Sequence, residues 1–166
     1  MITVVVLSGN TDESPVLPSI PFDQPGEYVF RFGQPRSREM TLLLEVEPFH
    51  GRSESQLLTH LRTTIEVKLV NRGGRTICQA AGSPGEGMGN DHWVLRMGAA
   101  EAAFWHDSCS EIKLKRSESY TLTIRVRNVD PKTPKIRIHA FFERSDNFGP
   151  IELLSAAAMI EIDELD

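Results

Sequence analysis

The chain has 166 residues, of which 40% are hydrophobic, and a formal net charge of −5. This hydrophobic content is too high and this charge too small for a disordered chain, and the length suits one folded domain over residues 1–166. No apolar run approaches the roughly 18–20 residues of a membrane-spanning helix, so we expect no transmembrane segment. The slightly acidic balance argues against a dedicated nucleic-acid-binding protein, and we expect no nucleic-acid partner.

The first ten residues are apolar and uncharged, and they lack the basic region that begins a secretory signal peptide. We expect a first β-strand here, and the alternative is a remnant of an export signal. Leu7-Ser8-Gly9 matches the first three positions of a bacterial lipoprotein cleavage box, but Asn10 stands where the lipid-bearing cysteine is required. Residues 11–26 contain four prolines without clear periodicity, which predicts an extended lead-in.

Alternating hydrophobicity predicts most of the following elements. Successive side chains of a strand point to opposite faces, and Tyr120–Arg127 alternates apolar residues with threonines and arginines. One face that meets a core and one that meets water are typical of antiparallel sheets. The same alternation occurs at Tyr28/Phe30/Phe32, Leu42/Leu44/Val46, Ile65/Val67/Leu69, Trp93/Leu95/Met97, Ile136/Ile138/Ala140/Phe142 and Ala158/Ile160/Ile162.

Turn residues and one helical signal complete the predicted fold. Asn71-Arg72-Gly73-Gly74 predicts a hairpin, and residues 82–90, with four glycines, predict a loop. Ser53-Glu54-Ser55-Gln56 has the spacing of a capping box, which predicts one short helix or helical turn near residues 53–61. Ala99–Phe104 fits a helix or a strand. The predicted fold class is all-β, an antiparallel β-sandwich of about seven to nine strands.

Six successive segments follow one pattern: an entry strand of the form PFD…PG…F.F, two aliphatic strands, and a charged segment leading into a tyrosine strand. They are Pro21–Asp23, Pro25–Phe32, Met40–Glu47, Thr63–Val70, Glu111–Arg116 and Tyr120–Val126. In this pattern the chain resembles a family of bacterial exported, lipoprotein-like β-sandwich domains without assigned activity. The resemblance implies a bacterial protein in the periplasm or at the cell envelope. Ser117-Glu118-Ser119 stands where the family has a Pro-Gly turn.

Two cysteines, Cys78 and Cys109, have two interpretations that depend on the compartment. In an exported domain, an even cysteine count favours a disulfide between them. In a cytosolic protein they are two small buried hydrophobic residues. A cytoplasmic location stays open on these grounds, because the chain has no intact signal peptide.

The segment from Trp105 to Cys109 contains several residue types that take part in catalysis or bind ligands. His106, Asp107, Ser108 and Cys109 together suggest a hydrolase, but no Gly-x-Ser-x-Gly turn surrounds the serine. The same segment, with Asp91 and His92, lacks the paired spacings of a zinc site. We therefore expect no catalytic residue, no metal and no cofactor. Trp105 beside His106 is the candidate for an exposed platform that binds carbohydrate, and a core or edge aromatic is the alternative.

The charge distribution gives the remaining candidate surface. Residues 113–137 carry a local net charge of +6 in a chain of −5. By strand parity, five basic residues lie opposite the core positions: Lys113, Lys115, Arg125, Arg127 and Arg137. If their strands are neighbours in one sheet, they form a basic outer face that attracts an acidic protein partner or an anionic envelope component. The alternative is a solvated face balanced by carboxylates on neighbouring strands.

The sequence thus predicts a non-catalytic binding or interaction domain, bacterial and extracytoplasmic, with the basic residues as its tentative binding site. A carbohydrate-binding module built on Trp105 and His106 is the first alternative, and a hydrolase at His106–Cys109 is the second.

Overall fold

The computed structural model describes residues 2–5, 17–33, 38–47, 58–84, 93–97, 102–116 and 118–144. These residues form eleven strands in two sheets, together with a 3₁₀ helix at Asp107–Cys109. In chain order the strands are β1 (Ile2–Val5), β2 (Ile20–Pro21), β3 (Gly26–Gly33), β4 (Arg38–Glu47), β5 (Thr64–Asn71), β6 (Thr76–Gly82), β7 (Val94–Met97), β8 (Ala102–Trp105), β9 (Ile112–Leu114), β10 (Ser119–Arg127) and β11 (Arg137–Arg144). The sheets pack face to face around one core, which confirms the predicted all-β sandwich.

The first sheet has the order β1-β3-β10-β5-β6. The strand β10 lies at its centre and pairs antiparallel with both β3 and β5 over most of its length. Its burial alternates residue by residue, with Tyr120, Leu122, Ile124 and Val126 facing the core, as the periodicity predicts. The strand β1 confirms the expected first strand, although it pairs parallel to β3.

The hairpin between β5 and β6 forms where the sequence predicts it. The amide of Gly74 donates to the carbonyl of Asn71 at 2.9 Å, and the amide of Asn71 donates to the carbonyl of Arg75 at 2.9 Å. The Asn71 side-chain oxygen also accepts from the amide of Arg75. Gly74 has a φ of +82°, a conformation that a residue with a Cβ rarely adopts, which explains the glycine.

The second sheet has the order β2-β11-β4-β8-β7, and β9 also pairs with β4. The strands β4 and β11 form its centre through eight consecutive antiparallel pairs, from Glu47 opposite Arg137 to Met40 opposite Arg144. The two-residue strand β2 pairs Ile20 with Ile138 and Pro21 with Arg137, so these two residues of the predicted lead-in belong to the sheet.

The core lies between the two sheets and contains most of the predicted inward positions. Phe32 of the first sheet meets Phe142 of the second with ring centroids 5.3 Å apart. Trp93 is buried, and its indole Nε1 donates to the carbonyl of Ile65 at 3.2 Å. The core position predicted for Trp93 by its parity with Leu95 is therefore confirmed.

A disulfide joins Cys78 of β6 to Cys109 of the 3₁₀ helix, with 5.2 Å between the Cα atoms. Of the two interpretations of the cysteines, the disulfide is the one that the structure contains. The bond connects the end of the first sheet to the segment between β8 and β9 of the second. The two cysteines are 31 residues apart in the sequence. Closing a loop of this length contributes about 3–4 kcal/mol to the free energy of unfolding in the chain-entropy model.

Tyr120 provides a second connection at the start of β10. Its hydroxyl accepts a hydrogen bond from the amide of Lys115 at 2.7 Å and donates to the Glu118 carboxylate at 3.0 Å. A buried tyrosine that bonds to backbone a few residues upstream resembles the tyrosine corner of Greek-key sandwiches. Burial raises the pKa of this hydroxyl above its ordinary value.

Several predicted features differ in extent or lie outside the described residues. The described residues contain eleven strands and not seven to nine. The strands β2, β8 and β9, which are not among the predicted alternating segments, have only two to four residues each. Ala102–Trp105 is a strand, which decides between the two alternatives for Ala99–Phe104. Residues 58–59 are helical, while residues 53–57 lie outside the description, as do 11–16, most of the loop 82–90 and the strand predicted around Ile160.

Candidate functional site

The five basic residues predicted to share one face are divided between the two sheets. Arg125 and Arg127 lie on β10 of the first sheet, whereas Lys113 lies on β9 and Arg137 on β11 of the second. Lys115 follows β9 directly. These strands are therefore not neighbours in one sheet, and the prediction of a single basic face is wrong. The chain crosses from one sheet to the other between β9 and β10, and strand parity does not report such a crossing.

On the first sheet, the cross-strand register sets Arg125 between two carboxylates. Arg125 pairs with Glu27 on β3 and with Glu66 on β5. Its guanidinium forms an ion pair with Glu27 and lies 3.8 Å from Glu66, which is also 3.7 Å from Arg127. Opposite charges facing each other across strands stabilise a sheet. For Arg125 and Arg127, the structure therefore shows the face balanced by neighbouring carboxylates.

Two more cations make this surface positive overall. Arg31 on β3 and Lys68 on β5 point outward with Arg125, and within the described ranges neither lies within 4 Å of a carboxylate. We call the six residues together the charged face: Glu27, Arg31, Glu66, Lys68, Arg125 and Arg127. Four cations against two carboxylates leave it with an excess of two positive charges.

A groove runs along the charged face beside β6. Thr123 and Ala81 are short side chains in the middle of the sheet surface, and the longer Lys68, Gln79 and Arg125 stand around them. The register explains the arrangement, since Lys68 has Thr123 on one side and Gln79 on the other, while Glu66 separates Arg125 from Ala81. The groove has a volume of about 220 Å³. It offers an ammonium, a guanidinium, an amide and a hydroxyl to a bound group, and the carboxylate of Glu66 also lines it.

The outer face of the second sheet is different, because a group of apolar residues is buried on it. Leu43 of β4 lies opposite Trp105 of β8, which in turn lies opposite Val94 of β7. We call these residues, with Ala103 and Phe141, the apolar cluster. Trp105 is only 9% exposed. Of the two interpretations of Trp105, the exposed platform is wrong and the core or edge aromatic is confirmed, because the register inserts Trp105 between Leu43 and Val94.

The predicted hydrolase segment does not bring its side chains together. Cys109 is oxidised in the disulfide with Cys78 and has no thiol to act as a nucleophile. His106 is buried, with its ring 5.4 Å from that of Trp93, and its Nδ1 accepts from the amide of Ser108 at 3.1 Å. Asp107 and Ser108 are exposed. His106 thus caps the 3₁₀ helix. Asp91 and His92, the other residues considered for a metal, lie outside the described residues.

A cluster that sequence reasoning missed lies next to the apolar cluster. His139 of β11 contacts Glu45 through Nε2 at 3.2 Å and Glu47 through Nδ1 at 3.0 Å. We call these three residues the histidine cluster. The sequence alone indicates that these side chains point away from the core, since Glu45 and Glu47 alternate with the core residues of β4 and His139 alternates with those of β11. The alternation does not predict that β4 pairs with β11, because this pairing joins segments far apart in the chain.

Comparison with known proteins adds no assignment. No family model matches the sequence, and comparisons with curated proteins and with solved structures give no significant match. Within the described ranges, no helix has the length and hydrophobicity needed to cross a membrane.

Proposed function

We propose that this protein is a non-catalytic binding domain of the bacterial cell envelope, and that its charged face engages an acidic protein partner. The observation that carries the proposal is the groove of about 220 Å³ bordered by Lys68 and Arg125. The short side chains Thr123 and Ala81 leave a recess here, and two of the longer side chains around it, Lys68 and Arg125, are cationic.

The charge balance supports an acidic partner over a neutral one. The carboxylates Glu27 and Glu66 are engaged by Arg125 and Arg127, while Lys68 has no carboxylate within 4 Å among the described residues. A partner carboxylate placed beside Lys68 and Gln79 gains a charge-assisted hydrogen bond. The surplus charge of the face also accelerates encounter with an acidic surface at low salt.

The disulfide supports the envelope location. Bonds between cysteines persist in oxidising compartments such as the bacterial periplasm and are rare in the cytosol. The resemblance to exported β-sandwich domains agrees with this. The location is tested by trapping free thiols in intact cells with an alkylating reagent that shifts the protein on a gel. Full protection of Cys78 and Cys109 is expected, and modification of both in unstressed cells would contradict the proposed location.

The binding proposal is tested by charge reversal in the groove. Lys68→Glu and the double variant Arg125→Glu/Arg127→Glu are compared with Lys113→Glu, which reverses an exposed cation on the other sheet. The immobilised domain is exposed to solubilised envelope proteins at low and high salt, and retained proteins are quantified by mass spectrometry. We expect at least one acidic protein to be retained by the wild type and by Lys113→Glu, and to be lost tenfold or more from both groove variants.

Equal retention by the groove variants and by Lys113→Glu would exclude the charged face as the binding site. Retention that does not fall at high salt would also contradict the proposal, because binding between an exposed cationic face and an acidic partner is screened by salt.

A further inference from the structure

The histidine cluster carries more negative charge than its own side chains balance. Two carboxylates, Glu45 and Glu47, face one imidazole, which supplies at most one positive charge. The register places Arg137 directly opposite Glu47, where it could neutralise that carboxylate. Arg137 instead donates from Nε to the Ser19 hydroxyl and from a terminal nitrogen to the Ser19 carbonyl, both at 2.8 Å. Ser19 thus engages the Nε and one terminal nitrogen of Arg137, the residue directly opposite Glu47.

The distances around His139 match those of a metal-binding histidine and its supporting carboxylate. Ligands of a tetrahedral metal at bond lengths of about 2.0–2.1 Å lie roughly 3.4 Å apart, and Nε2 lies 3.2 Å from Glu45. Metal-bound histidines donate the proton of their second ring nitrogen to a carboxylate, and Nδ1 lies 3.0 Å from Glu47. One side of the ring thus has the spacing of a ligand pair and the other the spacing of a hydrogen bond.

The cluster is held on well-ordered secondary structure. Glu45 and His139 are direct partners in the eight-residue pairing of β4 with β11. The imidazole packs on Phe141 with ring centroids 5.7 Å apart, and Phe141 lies opposite Leu43 of the apolar cluster. The His139 side chain is 19% exposed and that of Glu47 is 50% exposed, so the ring is fixed while solvent reaches the site. Preorganised ligands with an accessible side suit a metal that keeps bound water.

We propose that the histidine cluster binds a divalent transition metal of the zinc class. His139 Nε2 and Glu45 bind the metal, Glu47 accepts the proton of Nδ1, and water completes the coordination. A mixed nitrogen and oxygen donor set selects zinc or cobalt over magnesium and calcium, which prefer oxygen ligands alone. This site is on the sheet opposite the charged face and does not depend on the proposed function.

The test is metal titration of the protein without an affinity tag. Zinc binding is measured by calorimetry, and cobalt binding by its visible absorption, which reports nitrogen and oxygen coordination directly. Wild-type protein is expected to bind one saturable equivalent of each and to give no heat with magnesium. His139→Gln and Glu45→Gln are expected to abolish this binding or weaken it more than a hundredfold. Glu47→Gln, which alters only the supporting carboxylate, is expected to weaken it about tenfold to a hundredfold.

His60→Gln is the matched control, since His60 is exposed and lies outside the histidine cluster. It is expected to bind as the wild type does. Circular dichroism checks that each variant is folded, and if His139→Gln unfolds, the two glutamine variants of the glutamates still decide the question. The absence of a saturable equivalent in the wild type would overturn the proposal. Unchanged binding in Glu45→Gln, or binding that persists in folded His139→Gln, would overturn it as well.

Discussion

The two outer faces of the sandwich, which both point away from the core, differ in how far their side chains are exposed to solvent. The charged face of the first sheet meets solvent with alternating cations and carboxylates, and Arg125 is still 42% exposed there. The outer face of the second sheet instead buries Leu43, Ala103 and Trp105 and has charged side chains around them, among them the ion pair between Arg96 and Glu143 and the contacts of His139. Core-facing residues alternate regularly in both sheets, so the outer faces are what distinguish them.

The difference shows where stability and binding should be sought in this protein. Apolar area that is removed from water contributes roughly 25 cal/mol per Å², whereas an exposed ion pair contributes about 0–1 kcal/mol. Substitutions in the apolar cluster should therefore affect folding, while substitutions in the charged face should affect association. The following predictions test this division, from the largest effect to the smallest.

Replacing Trp105 in the apolar cluster is expected to have the largest effect. Trp105→Ala removes a side chain that packs between Leu43 and Val94, and large-to-small substitutions of buried tryptophan cost about 3–5 kcal/mol. The control is Thr123→Ala on the charged face, where we expect a change of less than about 1 kcal/mol. Urea unfolding followed by circular dichroism gives both values. A loss for Trp105→Ala as small as that of the control would mean that the apolar cluster does not contribute to folding.

The sequence was sufficient to predict the regularly alternating strands. In β10, the apolar residues at every second position are all buried, because one face of the strand meets the core and the other meets solvent. The hairpin at Asn71–Gly74 was predictable for an equally local reason, since Gly74 adopts a conformation that favours glycine. Both features depend only on interactions between near neighbours in the chain.

The sequence was insufficient wherever a feature depends on which strands pair. The run Leu42-Leu43-Leu44 interrupts the alternation of β4, and it could have indicated burial on both faces of that strand. It could not indicate that Trp105 covers Leu43, since that contact requires the pairing of β4 with β8. The histidine cluster and the division of the basic residues between two sheets have the same origin, namely pairings between segments distant in sequence.

The expected effect of a substitution at Tyr120 is intermediate between those in the apolar cluster and those in the charged face. Its buried hydroxyl connects β10 to the segment after β9. Tyr120→Phe keeps the ring that stacks on Phe32 and removes the hydroxyl that accepts from the amide of Lys115. A net loss of about 0.5–1.5 kcal/mol is expected near neutral pH, because the hydrogen bonds of the hydroxyl with Lys115 and Glu118 are lost. Urea unfolding of the two proteins measures it, and equal stability would show that the hydroxyl contributes nothing.

The same pair of proteins also has an expected pH dependence. Burial raises the pKa of Tyr120 in the folded state above the ordinary value of about 10 for an unfolded tyrosine. The stability that this shift represents is present below about pH 10 and is lost as the pH rises through the folded-state pKa. The advantage of the wild type over Tyr120→Phe should therefore shrink as the pH rises above about 10. A constant or growing advantage would contradict burial as the cause of the shift.

The smallest expected effect is that of the ion pair between Arg125 and Glu27 on the charged face. A double-mutant cycle with Arg125→Gln and Glu27→Gln should give a coupling free energy of about 0.2–1 kcal/mol, because both side chains remain accessible to water. The coupling should decrease in high salt, where exposed charges are screened. A coupling of several kcal/mol that is insensitive to salt would show that Arg125 serves folding as Trp105 does. In that case the charged face would lose its distinction from the apolar cluster. Arg31 and Lys68, with no carboxylate within 4 Å among the described residues, would be the cations left for a partner.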